Sequence, residues 1–452
     1  VTRGKNMQFK TILLGTAALA LMAGSAAAQD APKKHHHRHT AAASGSVDAR
    51  IDELEAEIHE LKRQQHAQAE TQAAVAPPAD QQVTQAQFEA LQNQVYEQQA
   101  ADASLTKSSW WSNTKISGRM YYDITNLDNS STDALGVKTK SSQNGTNFDI
   151  KRFYLGVDHQ FNDIFSANLT TDFTYDGGAS TSQIYIKKAY LQAKLSDAFT
   201  VRLGSADLPW VPFVEDLYGY RYVENVMIDR DKYGTSADWG AHILGTFGDG
   251  LFSYQVSAVN GQGYKKIPTG TANRSQGIDL EGRLSMNYDG FVAGVGGYTG
   301  KLGKDVEGLH TNHTANRFDA IAGYFDNGIR IGVEYFKAND WNSVTSAVSK
   351  DNADGYSVFG SYQFDPQWGV FGRYEHVSPK TDSTIGLGQL SKPRDTYYNF
   401  GVSYSPTKIV DFALVYKHDR VGDGTLATSN GTIGGADKGT YNEIGLWGQL
   451  RW

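Results

Sequence analysis

The charged side chains that recur at every second position are the residues whose types and spacing could do chemistry. If Lys115–Asp123 is extended, Arg119 and Asp123 lie on the same face. Rows of one sign select ions by sign, whereas opposed rows create a transverse field that orders water and favours small polar solutes. If the strands enclose a water-filled space, the charged residues that we expect to line it are Arg119, Arg152, Lys188, Arg202, Arg283, Arg330, Arg373, Glu281, Glu334 and Glu375. The alternative is that these charges pair across neighbouring strands and only stabilise the sheet.

A second group of charges lies in the long polar stretch 208–237. Glu215, Asp216 and Arg221 belong to it, and the stretch as a whole carries more acidic than basic residues. About thirty residues are too many for a tight hairpin, and long loops of this kind are usually functional. We predict that this loop enters the enclosed space and forms a constriction, with its acids opposite Arg119, Arg152 and Arg202.

Histidines are the remaining candidates for catalysis or metal binding. His35–His39 form a basic tract in a low-complexity segment, which is more typical of a solvated tract than of a metal site. His310, His313, His376 and the pair His418-Asp419 have no serine motif or second aspartate pair beside them, and a nucleophile needs a base within hydrogen-bond reach. The sequence therefore predicts no catalytic residue, metal site or cofactor, with a membrane-embedded barrel enzyme kept as an alternative.

Period-two alternation indicates that strands position these side chains. Ile116 and Leu284 alternate with Arg119 and Arg283 in their respective runs, and Phe400 alternates with Asn399. Because successive side chains of a strand point to opposite faces, Ile116, Leu284 and Phe400 should form one surface and the polar residues the other. A soluble β-sandwich alternates in the same way, so alternation does not settle the fold.

The lengths of the connections separate these two folds. Short turn signals alternate strictly with longer polar stretches, which predicts sixteen antiparallel strands with both chain ends at the short-turn end. The turns are centred on 162–163, 196–197, 248–250, 289–290, 326–328, 365–367 and 405–407; the long stretches are 125–147, 176–182, 208–237, 260–277, 299–316, 337–355, 378–395 and 419–439. A soluble sandwich has no reason to sort its loops by length. We predict an all-β transmembrane barrel over residues 110–452.

Composition agrees with many short strands and excludes other classes. The 452 residues include 47 Gly, 25 Tyr and 20 Phe but no Cys, which rules out disulfides and thiolate zinc sites. The net charge of −7 argues against a nucleic-acid partner.

The first hundred residues predict export and a separate arm. Residues 1–28, with a start at Met7, have the charged, apolar and small-residue regions of a signal peptide, and the apolar run is too short to span a bilayer. Residues 29–109 are rich in Ala, Gln and Glu, and contain the heptad-like spacing Ile51, Leu54, Ile58, Leu61. We predict a low-complexity, coiled-coil-like periplasmic arm, either a self-associating segment or a solvated tether.

Three strand motifs resemble the phosphate-selective porin O and P family of bacterial outer membranes. They are Lys151–Val157, Ile186–Leu191 and Thr200–Pro209, within a stretch of similarity from Asp149 to Phe247. The resemblance implies a homotrimer of sixteen-stranded barrels in the Gram-negative outer membrane, with the third loop folded into the lumen. This sequence departs from the family pattern at that loop, because the loop carries more acidic than basic residues, and this puts phosphate specificity in doubt.

The sequence thus predicts a porin in contact with outer-membrane lipid that allows passive diffusion of small hydrophilic solutes or ions, with anions such as phosphate among the candidates. A sugar-selective channel is the alternative, because Trp210, Phe213, Tyr218, Tyr220 and Tyr222 in the long loop could stack on sugar rings.

Overall fold

A computed structural model describes residues 90, 92–97, 110–176, 181–265 and 274–452. The chain divides into a first unit, Val1–Asn93, and a second unit, Gln94–Trp452, which contains the sheet. The predicted signal peptide, the heptad-like segment and the His35–His39 tract lie outside the described residues. Within the described residues, no helix is long and apolar enough to cross a membrane.

The second unit consists of strands and a few short helices. The strands are β1 Thr114–Thr132, β2 Lys138–Lys140, β3 Gly145–Gln160, β4 Phe165–Asp176, β5 Thr181–Ser196, β6 Phe199–Asp207, β7 Ala237–Phe247, β8 Phe252–Val259, β9 Asp279–Tyr288, β10 Phe291–Gly300, β11 Ala315–Asp326, β12 Ile329–Asn339, β13 Ser349–Gln363, β14 Trp368–Ser383, β15 Gln389–Ser391, β16 Arg394–Thr407, β17 Val410–Thr428 and β18 Gly431–Arg451. A 3₁₀ turn, Trp110–Asn113, precedes β1, and helices α1 (Val211–Tyr218) and α2 (Met227–Arg230) lie between β6 and β7.

The sheet closes on itself. Each long strand pairs antiparallel with its neighbours in sequence, and β1 pairs with both β3 and β18. The three-residue strands β2 and β15 only extend hairpins at the long-loop end, so the barrel of the described residues has sixteen strands. Closure pairs every edge, which is the condition for a sheet in lipid. The predicted fold class is confirmed.

The predicted faces are also correct. Ile116, Leu284 and Phe400 expose 54%, 46% and 57% of their surface on the outside of the barrel, whereas Asn399, next to Phe400, is 2% exposed inside. Six of the seven predicted tight turns connect paired strands where they were expected, and the seventh connection lies at residues 408–409, directly after the predicted 405–407, which end β16. At two of them, Asp289-Gly290 and Asn327-Gly328, both central residues have positive φ, as a type I′ hairpin requires.

Several of the predicted long loops are largely strand instead, and 125–147 and 419–439 are two examples. β1 continues to Thr132 within 125–147, and β17 and β18 run through most of 419–439 as far as Thr428 and Gly431. Polar residues can pair in a ladder once the strands have left the apolar band, so a polar composition does not end a strand there. The tip of this last hairpin folds back over the barrel, since Ser429 N donates to the Arg230 carbonyl (2.7 Å).

Candidate functional site

The loop 208–237 folds into the barrel and packs on one wall. Pro212 lies in the first turn of α1, where its missing N–H is not needed, and Gly219, with φ of 80°, ends the helix. Trp210, Val214 and Tyr218 of this segment are at most 2% exposed and join an apolar core with Phe336 and Phe359 of the wall. The hydrophobic effect therefore stabilises the loop against the wall formed by β10–β14.

A buried ion cluster fixes the end of α2 to the wall. Arg230 is fully buried; its Nε donates to Glu375 (2.6 Å), its Nη1 to Asp419 (2.7 Å), and its Nη2 to Asp231 (3.1 Å) and to Asp395. We call these five residues the Arg230 cluster. The planar guanidinium can serve several carboxylates at once, which a lysine ammonium cannot do with the same geometry.

A second polar contact holds the segment between the two helices. Lys417 lies 3.3 Å from Glu224, and Lys151 donates to the Val223 carbonyl (2.9 Å). Burial alone would raise the pKa of the Glu224 carboxyl, but Lys151 and Lys417 hold it well below its ordinary value. Ser429 at the tip of the last hairpin also donates to Glu224 (3.0 Å), so this carboxylate links loop, wall and hairpin.

Five of the predicted pore-lining residues contact the inserted loop instead of open space. Glu281, Glu334, Arg373 and Glu375 point inward but are at most 3% exposed. Trp210 donates to Glu334 (2.8 Å) and Glu281 (3.2 Å). Arg283 is half-buried, donates to the Pro209 carbonyl (2.9 Å) and lies over the Phe213 ring. Strand parity gave their face correctly, but the loop covers them, and their role as solvent-facing lining is corrected to that of loop anchors.

The open space that the loop leaves lies in two cavities that share Gly219, Arg330, Gln449 and Arg451. One, of about 730 Å³, opens among the short turns. The other, of about 690 Å³, is bordered by β1, β3, β4 and β5, and we call it the basic cavity. Its described charged residues are Arg119, Lys187, Lys188, Arg221, Arg330, Arg451, Asp158, Asp207, Glu215 and Asp216. The cations outnumber the acids by two.

The predicted constriction residues meet part of the predicted wall. Glu215, Asp216 and Arg221 border the basic cavity together with Arg119. Arg221 is paired with Glu215 and lies 3.7 Å from Asp229, so its positive charge is largely balanced by acids of the same loop. Burial, reinforced by the neighbouring Glu215, raises the pKa of the Asp216 carboxyl.

Arg152 and Arg202 are not among the residues that border the basic cavity. Arg152 pairs with Asp172 (2.9 Å), and Arg202 donates to Gln192 (2.8 Å) while lying over the Tyr190 ring. Both arginines therefore contact side chains of a neighbouring strand, as in the alternative in which these charged residues only stabilise the sheet.

Two inward-facing lysines were missed by strict alternation. Tyr121 pairs with Arg152 and Tyr122 with Ile150, so Lys151 is a bulge residue; Thr170 pairs with Lys188 and Thr171 with Ile186, so Lys187 is another. A bulge adds one residue to a strand and redirects a side chain. Both members of each basic pair consequently face inward. Two consecutive basic residues in an otherwise alternating strand were the signal that could have revealed them.

The aromatic residues proposed for sugar stacking are mostly committed to packing. Trp210, Tyr218 and Tyr222 are buried, and Phe213 lies under Arg283. Tyr220 borders the cavity near the short turns, but its ring stacks on Phe371 with centroids 3.9 Å apart. These contacts anchor the loop.

Among the described residues, the histidines that the sequence offered as candidates do not assemble into a reactive site. His376 and His418 lie on the outer surface, bonded to Thr396 (3.2 Å) and Asn442 (2.7 Å), whereas Asp419 points inward to Arg230. His313 lies 4.0 Å from Asp340, and His310 is exposed elsewhere in the same loop. Within the part of the chain that the structure describes, no group of three His, Asp or Glu side chains is arranged to hold a metal ion.

Comparison with known proteins agrees with this geometry. Residues 114–213 match the family model described as phosphate-selective porin O and P. This matched stretch includes all three strand motifs on which the resemblance was based. The barrel is of the outer-membrane porin type. Its function is accordingly that of an outer-membrane channel.

Solved structures support the barrel fold. The anion-selective porin from Comamonas acidovorans superposes with a TM-score of 0.50 and 14% identity, covering 75% of this chain and all of that one (100%). The in-vitro folded OmpT of Vibrio cholerae in its trimer form gives 0.51 and 12%, covering 75% and 99%. A protein of Aquifex aeolicus described as uncharacterized is 22% identical over 313 residues, 59% of this chain and 70% of the relative.

Proposed function

We propose that this porin is a passive channel for small hydrophilic solutes with a modest preference for small anions. The observation that carries the proposal is a set of cations without a carboxylate partner among the described residues. Arg119, Lys187 and Arg330 border the open cavities, and their contacts are a tyrosine hydroxyl, two tyrosine rings and two backbone carbonyls, respectively. Positive side chains along a narrow path lower the energy of an anion within it.

The preference is modest because acids from the loop border the same cavity. Glu215 and Asp216 lie among the cations, so the path combines both signs and creates a field across the lumen. Specificity for phosphate is not part of the proposal. A sugar-selective channel has weaker support, because the loop aromatics pack against the wall.

The orientation and assembly follow from the porin type. We place the short turns and the arm of residues 29–109 in the periplasm and the long loops outside the cell, because short periplasmic turns and longer external loops are the rule for such barrels. We also propose a homotrimer, which the trimer form of the Vibrio cholerae relative supports.

Single-channel recording of the purified full chain in a planar bilayer with a salt gradient tests the ion preference. The wild-type reversal potential should favour chloride modestly. Glu215→Gln with Asp216→Asn should increase that preference, and Arg119→Gln with Lys187→Gln should abolish it. Lys194→Gln is the matched control, because Lys194 lies at the β5–β6 turn, exposed and paired with Asp197 (2.8 Å). A cation-selective wild type, or a response to Lys194→Gln as large as to the lumen changes, contradicts the proposal.

A further inference from the structure

The outer surface of strands β14, β16 and β17 changes character in the same order on each strand. On β17 the outward residues from the middle of the barrel towards the long loops are Leu414, Tyr416, His418 and Arg420. The same progression from apolar to aromatic to polar and cationic residues ends in Lys380 on β14 and in Arg394 on β16. We call Lys380, Arg394, Arg420, His376 and His418 the outer basic patch.

The register brings three residues of the patch, His376, Arg420 and His418, into two neighbouring rows, and Arg394 and Lys380 lie further towards the long loops. His376 pairs with Thr396, and Thr396 with Arg420; one row closer to the middle of the barrel, Tyr374 pairs with Tyr398, and Tyr398 with His418. Adjacent strands are about 4.8 Å apart, so His376 and Arg420 lie about 10 Å apart across Thr396. That spacing leaves room for a compact anionic group between them.

Depth and charge both indicate a lipid headgroup. The step from Leu414 to Arg420 is six residues, about 20 Å along the strand and about 15 Å along the membrane normal for a tilt near 40°. The apolar band of such barrels is about 25 Å tall, so the patch lies at its edge, just beyond the tyrosines of the aromatic girdle.

One cation of the patch has no internal partner. Lys380 and Arg394 pair with Asp382 (2.8 Å) and Asp423 (2.9 Å), but Arg420 is exposed and pairs with no carboxylate of the described residues. An arginine at this depth that has no partner within the protein is stabilised when an anionic group of the surrounding lipid pairs with it.

We propose that the outer basic patch binds the phosphate group of a phosphorylated glycolipid in the outer leaflet, with Arg420 as its main contact and His376 and His418 beside it. The patch lies on the outside of the barrel, separate from the basic cavity in the lumen, so the proposal does not depend on what the channel conducts.

Native mass spectrometry of the full chain in detergent, titrated with diphosphorylated lipid A, tests this assignment. Removing one cation near an anionic headgroup should weaken binding about fivefold, so Arg420→Gln should do so and adding Arg394→Gln should weaken it further. Monophosphorylated lipid A should bind more weakly than the diphosphorylated form, and excess inorganic phosphate should not displace either. Lys337→Gln is the matched control, because Lys337 is also an exposed outward cation near the long loops, on β12 opposite Asp354.

Three outcomes overturn the assignment. Equal lipid affinity of the wild type and Arg420→Gln would show that Arg420 is not the main contact. A loss of affinity in Lys337→Gln as large as in Arg420→Gln would show that the lipid is attracted by overall charge. Displacement by inorganic phosphate means that the patch binds the free ion and not the lipid. Heat-modifiable migration on gels, the same for all variants, establishes that each variant is folded.

Discussion

Replacing Arg230 with methionine should release the inserted loop while leaving the barrel intact. Arg230 lies at the end of α2 and contacts four carboxylates, three of them on β14, β16 and β17. Methionine is similar in length but carries no charge, so Glu375, Asp395 and Asp419 would lose their common partner. The strand ladders of the barrel do not involve Arg230 and should form as before.

The expected effect is large. Removing one partner from a buried ion pair costs about 3–5 kcal/mol, because the other charge stays buried without compensation. At about 1.4 kcal/mol for each factor of ten, the ratio of docked to undocked loop falls by at least about a hundredfold. The apolar core around Trp210 remains and opposes release, so we expect a loop that leaves the wall intermittently and not one that is always free.

Single-channel conductance measures this release directly. The variant should show excursions to a level severalfold above that of the wild type, since the loop then vacates part of the lumen. Arg230→Lys, which keeps the charge but not the guanidinium fork, should show fewer excursions.

Lys232→Gln is the control, because Lys232 is the exposed cation two residues further along the same loop. If Arg230→Met conducts as the wild type does while still folding into a heat-modifiable barrel, the Arg230 cluster does not hold the loop in the lumen. If Lys232→Gln opens the channel equally, overall loop charge and not the cluster is responsible.

Four further predictions concern the loop, its protonation, the register and the arm. Replacing residues 211–230 with a short Gly-Ser linker should raise conductance severalfold with the barrel still folded; unchanged conductance would place the loop outside the ion path. Burial raises the pKa of Asp216 and Asp231 above the ordinary value of 3.8, so the docked loop binds more protons than the free one, and conductance should fall as pH is lowered from neutral to about 4.5. The low pKa of Glu224 reverses the trend below its ordinary value of 4.5, because docking then requires loss of a proton; a steady rise on acidification from neutral pH would contradict this account. A bulky water-soluble thiol reagent should modify Arg119→Cys and miss Ile116→Cys in membranes, and the opposite result would mean that the register is wrong. Deletion of residues 29–109 should leave a folded barrel and weaken a cross-linked trimer modestly, whereas complete failure to assemble would argue against a tether.

The face of each strand residue could be predicted because it depends only on local geometry. Side chains alternate with period two whatever surrounds the strand, so Ile116, Leu284 and Phe400 were assigned to the outside correctly. Tight turns such as Asp289-Gly290 are equally local, since only a few residue types accept positive φ. The number of strands and the closure of the barrel followed from these two patterns together.

Strand ends beyond the membrane could not be predicted in the same way. The residues of 419–439 are polar enough for a loop, yet they pair as a hairpin because the ladder satisfies their backbone groups. Lys151 and Lys187 were missed for a related reason. A bulge breaks the period at one position, and its exact place is fixed only by the register with the neighbouring strand.

What the sequence determined is therefore which side of the sheet a residue faces, and what only the tertiary structure decided is whether that side is open. Arg119 and Arg373 both face the inside of the barrel, but Arg119 borders the basic cavity and Arg373 is 3% exposed beneath the loop. The difference depends on where some thirty residues of loop settle inside a closed barrel. That position results from apolar contacts and the buried Arg230 cluster, which join residues as far apart in the chain as Arg230 and Asp419, and no local pattern in the sequence records it.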